Sequence, residues 1–496
     1  MSFSDQKQMD DESGSLKKSN KKQKKENAWR PEGPRDPFAM VCILECVKER
    51  ERRLHIESNF GGLFKKQQEI QKALHLFSLG QCLPKTLQEA KRHTYHFWDT
   101  QPVPKLGDSI TTHGPIAEGE TSVRKEPYSL PPGFCWDSLD LSNSLVLREL
   151  CGLLNKNYME DDDNTIRFDF SLEYLQWALQ SPNGLLQWLL AVRVDSNKKL
   201  VGFIAAVPAG IRIYETMKQL VQVKFLCVHK KLRLKRMAPV LIRELTRRVN
   251  QQGLHQAVYT AGTVLPTPLS SCSLWHRPLN PRKLMEVNFP GLRQKMSLQQ
   301  AIKFYCLPEV PKVQGLRPMI KEDAPGIHSL LQKNLSKFHL SPLLSLQEVE
   351  HWFLPRENVN DTYVVEGDDG TLTDVVSFYG VSQRVLNHPV HTGLRAAYLL
   401  CITSAATELA ELMKDTLILA KSKGFDVLCA LDVMDNTSFL EKLKFTISDK
   451  RVHYYLYNWT CPLMSPDKVL DRVISPPART QYSLSVHSEV FCNLVI

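Results

Sequence analysis

A β-rich run that passes through a basic loop into a helix is the feature that most limits the fold of this chain. The run ends at Val228, the loop His229–Arg236 carries five Lys or Arg residues, and an amphipathic segment follows over Met237–Asn250. A helix that begins at Met237 presents free N–H groups and the positive end of its dipole to the loop. The segment therefore predicts an anion site, with phosphate as the expected anion. The loop lacks the glycines of a dinucleotide fingerprint or a P-loop, and a solvated basic surface or a localisation signal is the alternative.

The positive charge of the chain is concentrated near its beginning. The formal net charge is +10, and six lysines between Lys17 and Lys25 supply more than half of it. Residues 1–74 are rich in Lys, Glu, Gln, Arg and Ser and are interrupted by prolines, so we predict a disordered basic arm. Such an arm suits a ribosome, RNA or an acidic membrane surface. A solvated arm without a partner is the alternative, and RNA binding by the whole protein rests on the arm alone.

The cysteines and apolar runs limit the compartment. The chain of 496 residues has 12 cysteines, no CxxC pair and a polar, acidic beginning instead of a secretory signal. We therefore expect reduced thiols, no metal site and a cytoplasmic location. Every apolar run is shorter than the roughly 20 residues that span a bilayer, so no transmembrane segment is expected.

Helical and β-rich patterns occur in two rounds along the chain. The first round consists of Leu145–Leu154 (helix), Trp188–Val194, Leu200–Pro208 and Leu220–Val228 (strands) and Met237–Asn250 (helix). The second begins at Gly315 and consists of Leu316–Leu335 (helix at its end), Asp361–Glu366 and Thr373–Val381 (strands), Leu412–Ser422 (helix) and Asp426–Leu431 (strand). The repeated order predicts two related α/β modules in tandem.

Several long segments resemble the motifs of the N-myristoyltransferase family. They are Phe225–Pro239, Phe97–Val103, Tyr158–Phe168, Trp275–Lys283 and Tyr454–Trp459. The resemblance implies an α/β fold of two tandem acetyltransferase-like (GNAT) modules around a saddle-shaped sheet. In that fold, residues 75–290 would bind acyl-CoA and residues 291–474 would bind the peptide. Residues 475–496 resemble nothing in the family and form an atypical extension.

The family transfers a myristoyl group, a fourteen-carbon acyl chain, from myristoyl-CoA to the N-terminal glycine of a protein. The resemblance therefore implies an acyltransferase with myristoyl-CoA as its acyl donor and without a metal. The expected partners are proteins or peptides that begin with glycine. The basic arm would bring this cytoplasmic enzyme close to ribosomes or membranes.

The resemblance also implies roles for individual residues. The backbone N–H groups of Phe225 and Leu226 would form an oxyanion hole for the thioester carbonyl, and Thr260 would help to place the amine. The acyl-CoA would be bound by Tyr95, His96, Phe97, Trp98, Phe225, Leu226, Cys227, Val228, Arg233, Leu234, Lys235, Arg236, Met237 and Ala238. The peptide would be bound by Tyr158, Phe168, Phe170, His276, Phe289, Tyr379, Tyr398 and Asp449.

The chain departs from the family at positions that matter for catalysis. The family base is the C-terminal carboxylate, at a point that aligns with Ile474, whereas this sequence continues to Ile496. Asp471 and Glu489 are weaker candidates for a replacement base. Other departures are His96, Ile166, Lys224 (an Asn in the family), Leu234, Leu274 and Phe445–Lys450, where a glycine-rich turn is replaced and backbone strain is expected. These departures leave an alternative open, namely a catalytically impaired paralogue that binds acyl-CoA or glycine-started peptides without efficient turnover.

Overall fold

The computed structural model of the protein describes residues 84, 86–118, 123–158, 166–290, 292, 296–386 and 388–470. The predicted arm, the extension, Ile474 and the two candidate replacement bases Asp471 and Glu489 lie outside the described residues. No helix within the described residues is long and apolar enough to cross a membrane.

The described residues form ten α-helices and fourteen β-strands. The helices are α1 (Leu87–Ala90), α2 (Ser144–Asn157), α3 (Leu172–Leu179), α4 (Met237–Asn250), α5 (Pro281–Glu286), α6 (Leu298–Phe304), α7 (Ala324–Leu335), α8 (Leu346–Phe353), α9 (Leu409–Ser422) and α10 (Thr437–Leu440). The strands are β1 (Phe134–Ser138), β2 (Ile166–Asp169), β3 (Leu189–Val194), β4 (Leu200–Ile213), β5 (Thr216–Val228), β6 (Ala257–Ala261), β7 (Ser270–Pro278), β8 (Leu316–Pro318), β9 (Leu340–Pro342), β10 (Asn360–Glu366), β11 (Leu372–Val385), β12 (Gly393–Ser404), β13 (Val427–Leu431) and β14 (Thr446–Tyr457). The sequence-predicted helix Met237–Asn250 has the same bounds as α4.

The described strands form one mixed sheet with a symmetrical order. The order is β1-β3-β4-β5-β6-β14-β7-β13-β12-β11-β10-β8, and β2 and β9 pair beside it with β11 and β4. The series β3-β4-β5-α4-β6-β7 in the first half repeats as β10-β11-β12-α9-β13-β14 in the second. In both halves a long antiparallel hairpin is followed by a helix and a parallel strand. The predicted mixed α/β fold with two related halves is confirmed, while the module boundaries near residues 75, 291 and 475 stay predictions.

The two halves exchange their last strands at the centre of the sheet. Strand β7 of the first half pairs with β13 of the second, and β14 of the second half pairs with β6 of the first. The exchanged strands also pair with each other. Two shorter pairings cross between the halves in the same way, β2 with the end of β11 and β9 with the end of β4. Each half therefore needs the other to complete its sheet.

Helices cover both faces of this sheet. On one face, α4 packs on the first half and α9 packs on the second, each over its own apolar core. On the opposite face, α2, α3, α7 and α8 enclose a single core that extends across both halves. The parallel pairs β5-β6 and β12-β13 lie on either side of the central strands β14 and β7. Strands β5 and β12 run antiparallel to each other, so the loops before α4 and α9 lie at opposite ends of the strands.

The expectation of backbone strain in Phe445–Lys450 is wrong. No residue of this segment has positive φ; the left-handed residue is Lys444, with φ of 63°, just before β14 begins. The replaced turn is accommodated by a shift in strand register instead, because Ile447 pairs with Trp275 and Arg451 already pairs with Ser273. A bulge of this kind accepts extra residues without requiring glycine.

Candidate active site

A bulge interrupts β5 at the two predicted oxyanion residues. Ile204 of β4 faces both Phe225 and Leu226, because the pairing between the strands shifts by one residue at this point. Phe225 has φ of 54°, in the left-handed region that bulky residues rarely adopt. A bulge removes backbone groups from the strand ladder and turns them toward a new direction. The role of the two N–H groups stays a prediction, and the local backbone is compatible with it.

The bulge lies at the boundary between the two faces of the sheet. The ring of Phe225 lies in the core that spans both halves, with its centroid 5.6 Å from that of Tyr158. Leu226 is fully buried in the core beneath α4. The side chains of these two neighbouring residues therefore lie on opposite faces of the sheet, Phe225 on the side of α2 and α3 and Leu226 on the side of α4.

The basic loop after β5 is fastened to the end of α2. Its 3-10 turn covers Lys230–Lys235. The side-chain oxygen of Asn157 accepts a hydrogen bond from the backbone N–H of Lys230 (3.1 Å), and its carbonyl accepts one from Arg233 Nη2 (2.6 Å). Arg233 thus already binds the carboxyl end of a helix, where a cation is favourable.

Arg236 forms the start of α4 and remains exposed. It is the N-cap residue with φ of 52°, and no side chain caps the first N–H groups of the helix. Lys235, beside it, is also exposed, whereas Met237 and Ala238 are buried in the core beneath α4. Uncapped N–H groups beside exposed cations are an arrangement that binds phosphate.

A polar cleft of about 550 Å³ lies beside this helix start. Two segments line it, residues 93–98 on one side and Arg236, Pro239, Val240 and Arg243 on the other. The structure therefore brings the predicted acyl-CoA residues Tyr95–Trp98 to Arg236. Tyr95 donates a hydrogen bond to the carbonyl of Val264 (2.7 Å), which holds the first segment to the body of the protein.

A narrow apolar chamber lies behind the polar cleft, and sequence reasoning missed it. Its walls come from β4, β5, β6 and α4, and they include Ile204, Val221, Leu245 and Tyr259. Trp98 lines both the chamber and the cleft and stacks on Tyr259 with ring centroids 5.6 Å apart. The volume of about 40 Å³ is below the roughly 300 Å³ at which ligand pockets begin, so a long acyl chain fits only when side chains move.

An aromatic row crosses from the first half to the second on the opposite face of the sheet. It consists of Phe170, Tyr174, Tyr379 and Tyr398. Successive ring centroids are 5.6, 6.1 and 5.5 Å apart, and Phe225 lies 5.6 Å from the first ring. Three of the predicted peptide residues are thereby brought into one line that starts at the bulge.

Two family models together match most of the described chain. Residues 116–272 match the family model "Myristoyl-CoA:protein N-myristoyltransferase, N-terminal domain", and residues 286–475 match the C-terminal domain of the same family. The chain belongs to the N-myristoyltransferase family. The family predicted from the sequence motifs is therefore confirmed.

Individual N-myristoyltransferases are similar over most of their length. Glycylpeptide N-tetradecanoyltransferase 2 of Danio rerio is 58% identical over 404 residues, which is 82% of each chain. The protein of the same name from Bos taurus is 56% identical over 82% of this chain and 81% of its own. The crystal structure of Saccharomyces cerevisiae N-myristoyltransferase with bound MyristoylCoA has a TM-score of 0.73 at 38% identity, covering 76% of this chain and 96% of that one.

The other peptide residues expected from the N-myristoyltransferase family fall into two groups. Phe168 stacks on Phe170, with centroids 5.6 Å apart, and His276 and Phe289 are buried with centroids 5.3 Å apart. His276 is linked to the aromatic row through Cys429, whose sulfur lies 3.2 Å from its Nδ1 and which pairs with Tyr398. Asp449, in contrast, is exposed, and its carboxylate accepts a hydrogen bond from the hydroxyl of Ser448.

Thr260 and Lys224 lie close to the bulge in the strand order. Thr260 is half-buried on β6, where it pairs with Tyr454 of the exchanged strand β14. Lys224, one of the expected departures from the family, is buried, and its Nζ donates to the carbonyl of Ala178 at the end of α3 (3.1 Å). The ammonium group also lies 4.9 Å from the ring centre of Trp352. These contacts direct it toward α3 and α8.

The cysteine that follows the bulge in β5 is not activated. Burial raises the pKa of the Cys227 thiol to about 12, so the sulfur stays protonated near neutral pH. Cys227 lies on the side of the aromatic row, and Val228 lies in the core beneath α4. Among the described residues, no group of three or more His, Cys, Asp or Glu side chains could hold a metal ion.

Sequence reasoning missed Tyr174 and Gln383, which belong to the same surface as the predicted peptide residues. Tyr174 lies in the middle of the aromatic row, on α3, whose N-cap is Ser171. Gln383 donates from Nε2 to the hydroxyl of Tyr398 (3.2 Å). Both left a signal in the sequence: Ser171 is a helix start, and Gln383 is a polar residue among the apolar alternate positions Tyr379, Val381 and Val385 of β11.

Proposed function

We propose that this chain transfers the myristoyl group of myristoyl-CoA to the N-terminal glycine of proteins and peptides. It is an acyltransferase. The observation that carries the proposal is the bulge at Phe225 and Leu226. From this bulge the chain continues to the polar cleft, and the aromatic row begins beside it on the opposite face of the sheet. A donor held in the cleft and a peptide held on the row would meet at this bulge.

The transfer is a direct attack of an amine on a thioester. The glycine nitrogen forms a bond with the carbonyl carbon, the carbon–sulfur bond breaks, and CoA leaves as its thiol. Negative charge develops on the carbonyl oxygen, and the N–H groups of Phe225 and Leu226 are proposed to stabilise it. No enzyme nucleophile takes part, in agreement with the raised pKa of Cys227.

The amine must lose a proton before or during the attack. An α-amino group has a pKa of about 7.7 to 8.0, so most of it is protonated at neutral pH. Thr260 is proposed to place the amine. It lies on β6, the neighbour of strand β5, which carries the bulge. A threonine hydroxyl positions the nitrogen by a hydrogen bond and does not itself take the proton.

The donor is proposed to bind in two parts. Lys235, Arg236 and the start of α4 would hold phosphates in the polar cleft, with Tyr95–Trp98 as the facing wall. The acyl chain would enter the apolar chamber past Trp98. At about 0.8 kcal/mol per buried methylene, a dozen methylenes contribute roughly 10 kcal/mol, which is enough to select for chain length.

The peptide is proposed to lie along the aromatic row, in contact with Tyr158, Phe168, Phe170, Tyr379 and Tyr398, with His276, Phe289 and Asp449 as further contacts.

Residues 17–25 are proposed to attract ribosomes or acidic membrane surfaces in the cytoplasm, because six lysines there create a strong positive field.

Acyl transfer by the full chain tests this function. The chain is mixed with myristoyl-CoA and a synthetic peptide that begins with glycine, and the acylated peptide and released thiol are measured. The matched control is the same peptide with alanine at its first position. We expect transfer to the glycine peptide alone. Binding of myristoyl-CoA without release of thiol would overturn the proposal and favour the impaired paralogue.

A further inference from the structure

Gln383 carries a buried hydrogen-bond acceptor that no described residue uses. The side chain is 2% exposed, its Nε2 donates to the hydroxyl of Tyr398 (3.2 Å), and its Oε1 has no partner within the described residues. A buried acceptor without a donor costs about 1 to 3 kcal/mol. Native structures keep few such atoms, and each one calls for an explanation.

The neighbours of Gln383 explain why the protein itself supplies no donor. Gln383 pairs with Phe168 of β2 on one side and with Leu394 of β12 on the other. Both neighbours are buried and apolar. Because side chains alternate along a strand, Gln383 shares its face with Tyr379 of the aromatic row.

The position of the amide is therefore that of a polar group among buried, mostly apolar side chains. Phe168, its neighbour on β2, and Tyr398, to which its amide donates, are proposed to contact the peptide. Nε2 is the end of the amide that contacts Tyr398, so the acceptor Oε1 is the end without a partner among the described residues. A few well-placed polar groups in an otherwise apolar surface are how binding sites select their ligands.

We propose that Gln383 is a specificity-determining residue, whose Oε1 accepts a hydrogen bond from the bound peptide at a position after the glycine. This inference rests on the proposed function. The donor is either a backbone N–H or a side-chain hydroxyl, amide or ammonium of the peptide. The chemistry is the same in both cases, and the experiment separates the two sources.

The test compares the full chain with Gln383→Met, which keeps the length and unbranched shape of the side chain and removes the acceptor. We expect the KM for a glycine-started peptide to rise about tenfold, while kcat and the Kd for myristoyl-CoA stay unchanged. The conservative variant Gln383→Glu keeps an acceptor and is expected to retain the KM better than Gln383→Met.

A peptide series then locates the donor. In one arm, each residue after the glycine is replaced by alanine; in the other, each backbone nitrogen is methylated in turn. One change is expected to weaken binding to the full chain about tenfold and to have little effect on Gln383→Met, because both changes remove the same hydrogen bond. A response in the alanine arm assigns a side-chain donor, and a response in the methylation arm assigns a backbone N–H.

Asn436 offers a matched control. It is a second buried amide, with Nδ2 donating to the carbonyl of Leu431 and Oδ1 without a partner within the described residues, and it lies outside the aromatic row. Asn436→Leu is expected to leave the KM for peptide unchanged. The proposal is overturned if Gln383→Met, folded by circular dichroism, keeps the KM of the full chain, or if its KM rises equally for every peptide of the series. Failure of the unaltered chain to transfer any acyl group would instead overturn the proposed function.

Discussion

The loops before α4 and α9 occupy corresponding places in the two halves, but they differ in charge and in the anion that each can bind. The first, His229–Arg236, is basic; it leads to a helix start without a side-chain cap, a feature that α9 shares. The second, Ala405–Glu408, has no Lys or Arg, and a carboxylate of the protein lies against it. That carboxylate, Asp374 of β11, accepts hydrogen bonds from the hydroxyls of Ser404 and Thr407 and from the backbone N–H groups of Ala405 and Ala406.

The difference lies in the strand beneath each loop. Strand β11 contributes Asp374, whereas β4 has no acidic residue over Leu200–Ile213. Burial alone would raise the pKa of Asp374, but the hydrogen bonds from Ser404 and Thr407 outweigh it and hold the pKa below its ordinary value. The same local geometry therefore stabilises the fold in one half, through an internal anion, and leaves room for an external anion in the other.

Removal of the internal anion is expected to have the largest effect. Asp374→Ala leaves the donors of Ser404, Ala405, Ala406 and Thr407 facing a buried cavity, so the free energy of unfolding is expected to fall by about 3 kcal/mol. Urea denaturation measures the change. Sulfate is expected to raise the urea midpoint of Asp374→Ala more than that of the unaltered chain, because it supplies the missing anion. An unchanged midpoint for Asp374→Ala would contradict the comparison.

Removal of a cation from the first loop is expected to affect donor binding and not stability. Arg236→Gln is expected to weaken CoA binding about tenfold, since a charge-assisted hydrogen bond contributes about 1.5 kcal/mol. The matched control is Lys442→Gln, because Lys442 is an exposed cation 3.5 Å from Glu408 beside the second loop. Calorimetric titration with CoA measures both. Equal losses of affinity in the two variants would remove the distinction between the loops.

The smallest effect is expected from pH. The pKa of Asp374 is lowered in the folded chain, so its stabilising contribution is present above the unfolded value of about 3.9 and is lost as the pH falls through the folded value. The unaltered chain is therefore expected to lose more stability than Asp374→Asn between about pH 5 and about pH 3. Urea midpoints at the two pH values test this, and parallel losses would show that Asp374 is not the group that titrates.

The sequence predicted the elements better than the way they join. Helix α4 was predictable because its apolar face and its start after a basic loop are local properties. The strands predicted to end at Pro208 and Val381 continue to Ile213 and Val385. Their added residues pair with β9 and β2 from the opposite half, and such pairing depends on contacts that no local pattern contains.

The same distinction applies to the candidate site. Tyr95–Trp98 and Arg236 could be assigned to one site from the family resemblance, and the structure places them around one cleft. The apolar chamber and Gln383 could not, because both arise where separate strands and helices meet. Arg233 shows the converse: its charge suited a phosphate, but its guanidinium is engaged by Asn157 at the end of α2.

The exchange of β7 and β14 has a consequence for synthesis of the protein. Strand β6 pairs with β14, whose last residue, Tyr457, lies close to the end of the described chain. A ribosome makes the first half long before β14 emerges, and during that time β6 has an open strand edge. Folding of the first half therefore waits for nearly the whole chain, so translation pauses within residues 262–445 are expected to prolong exposure to aggregation or to chaperones.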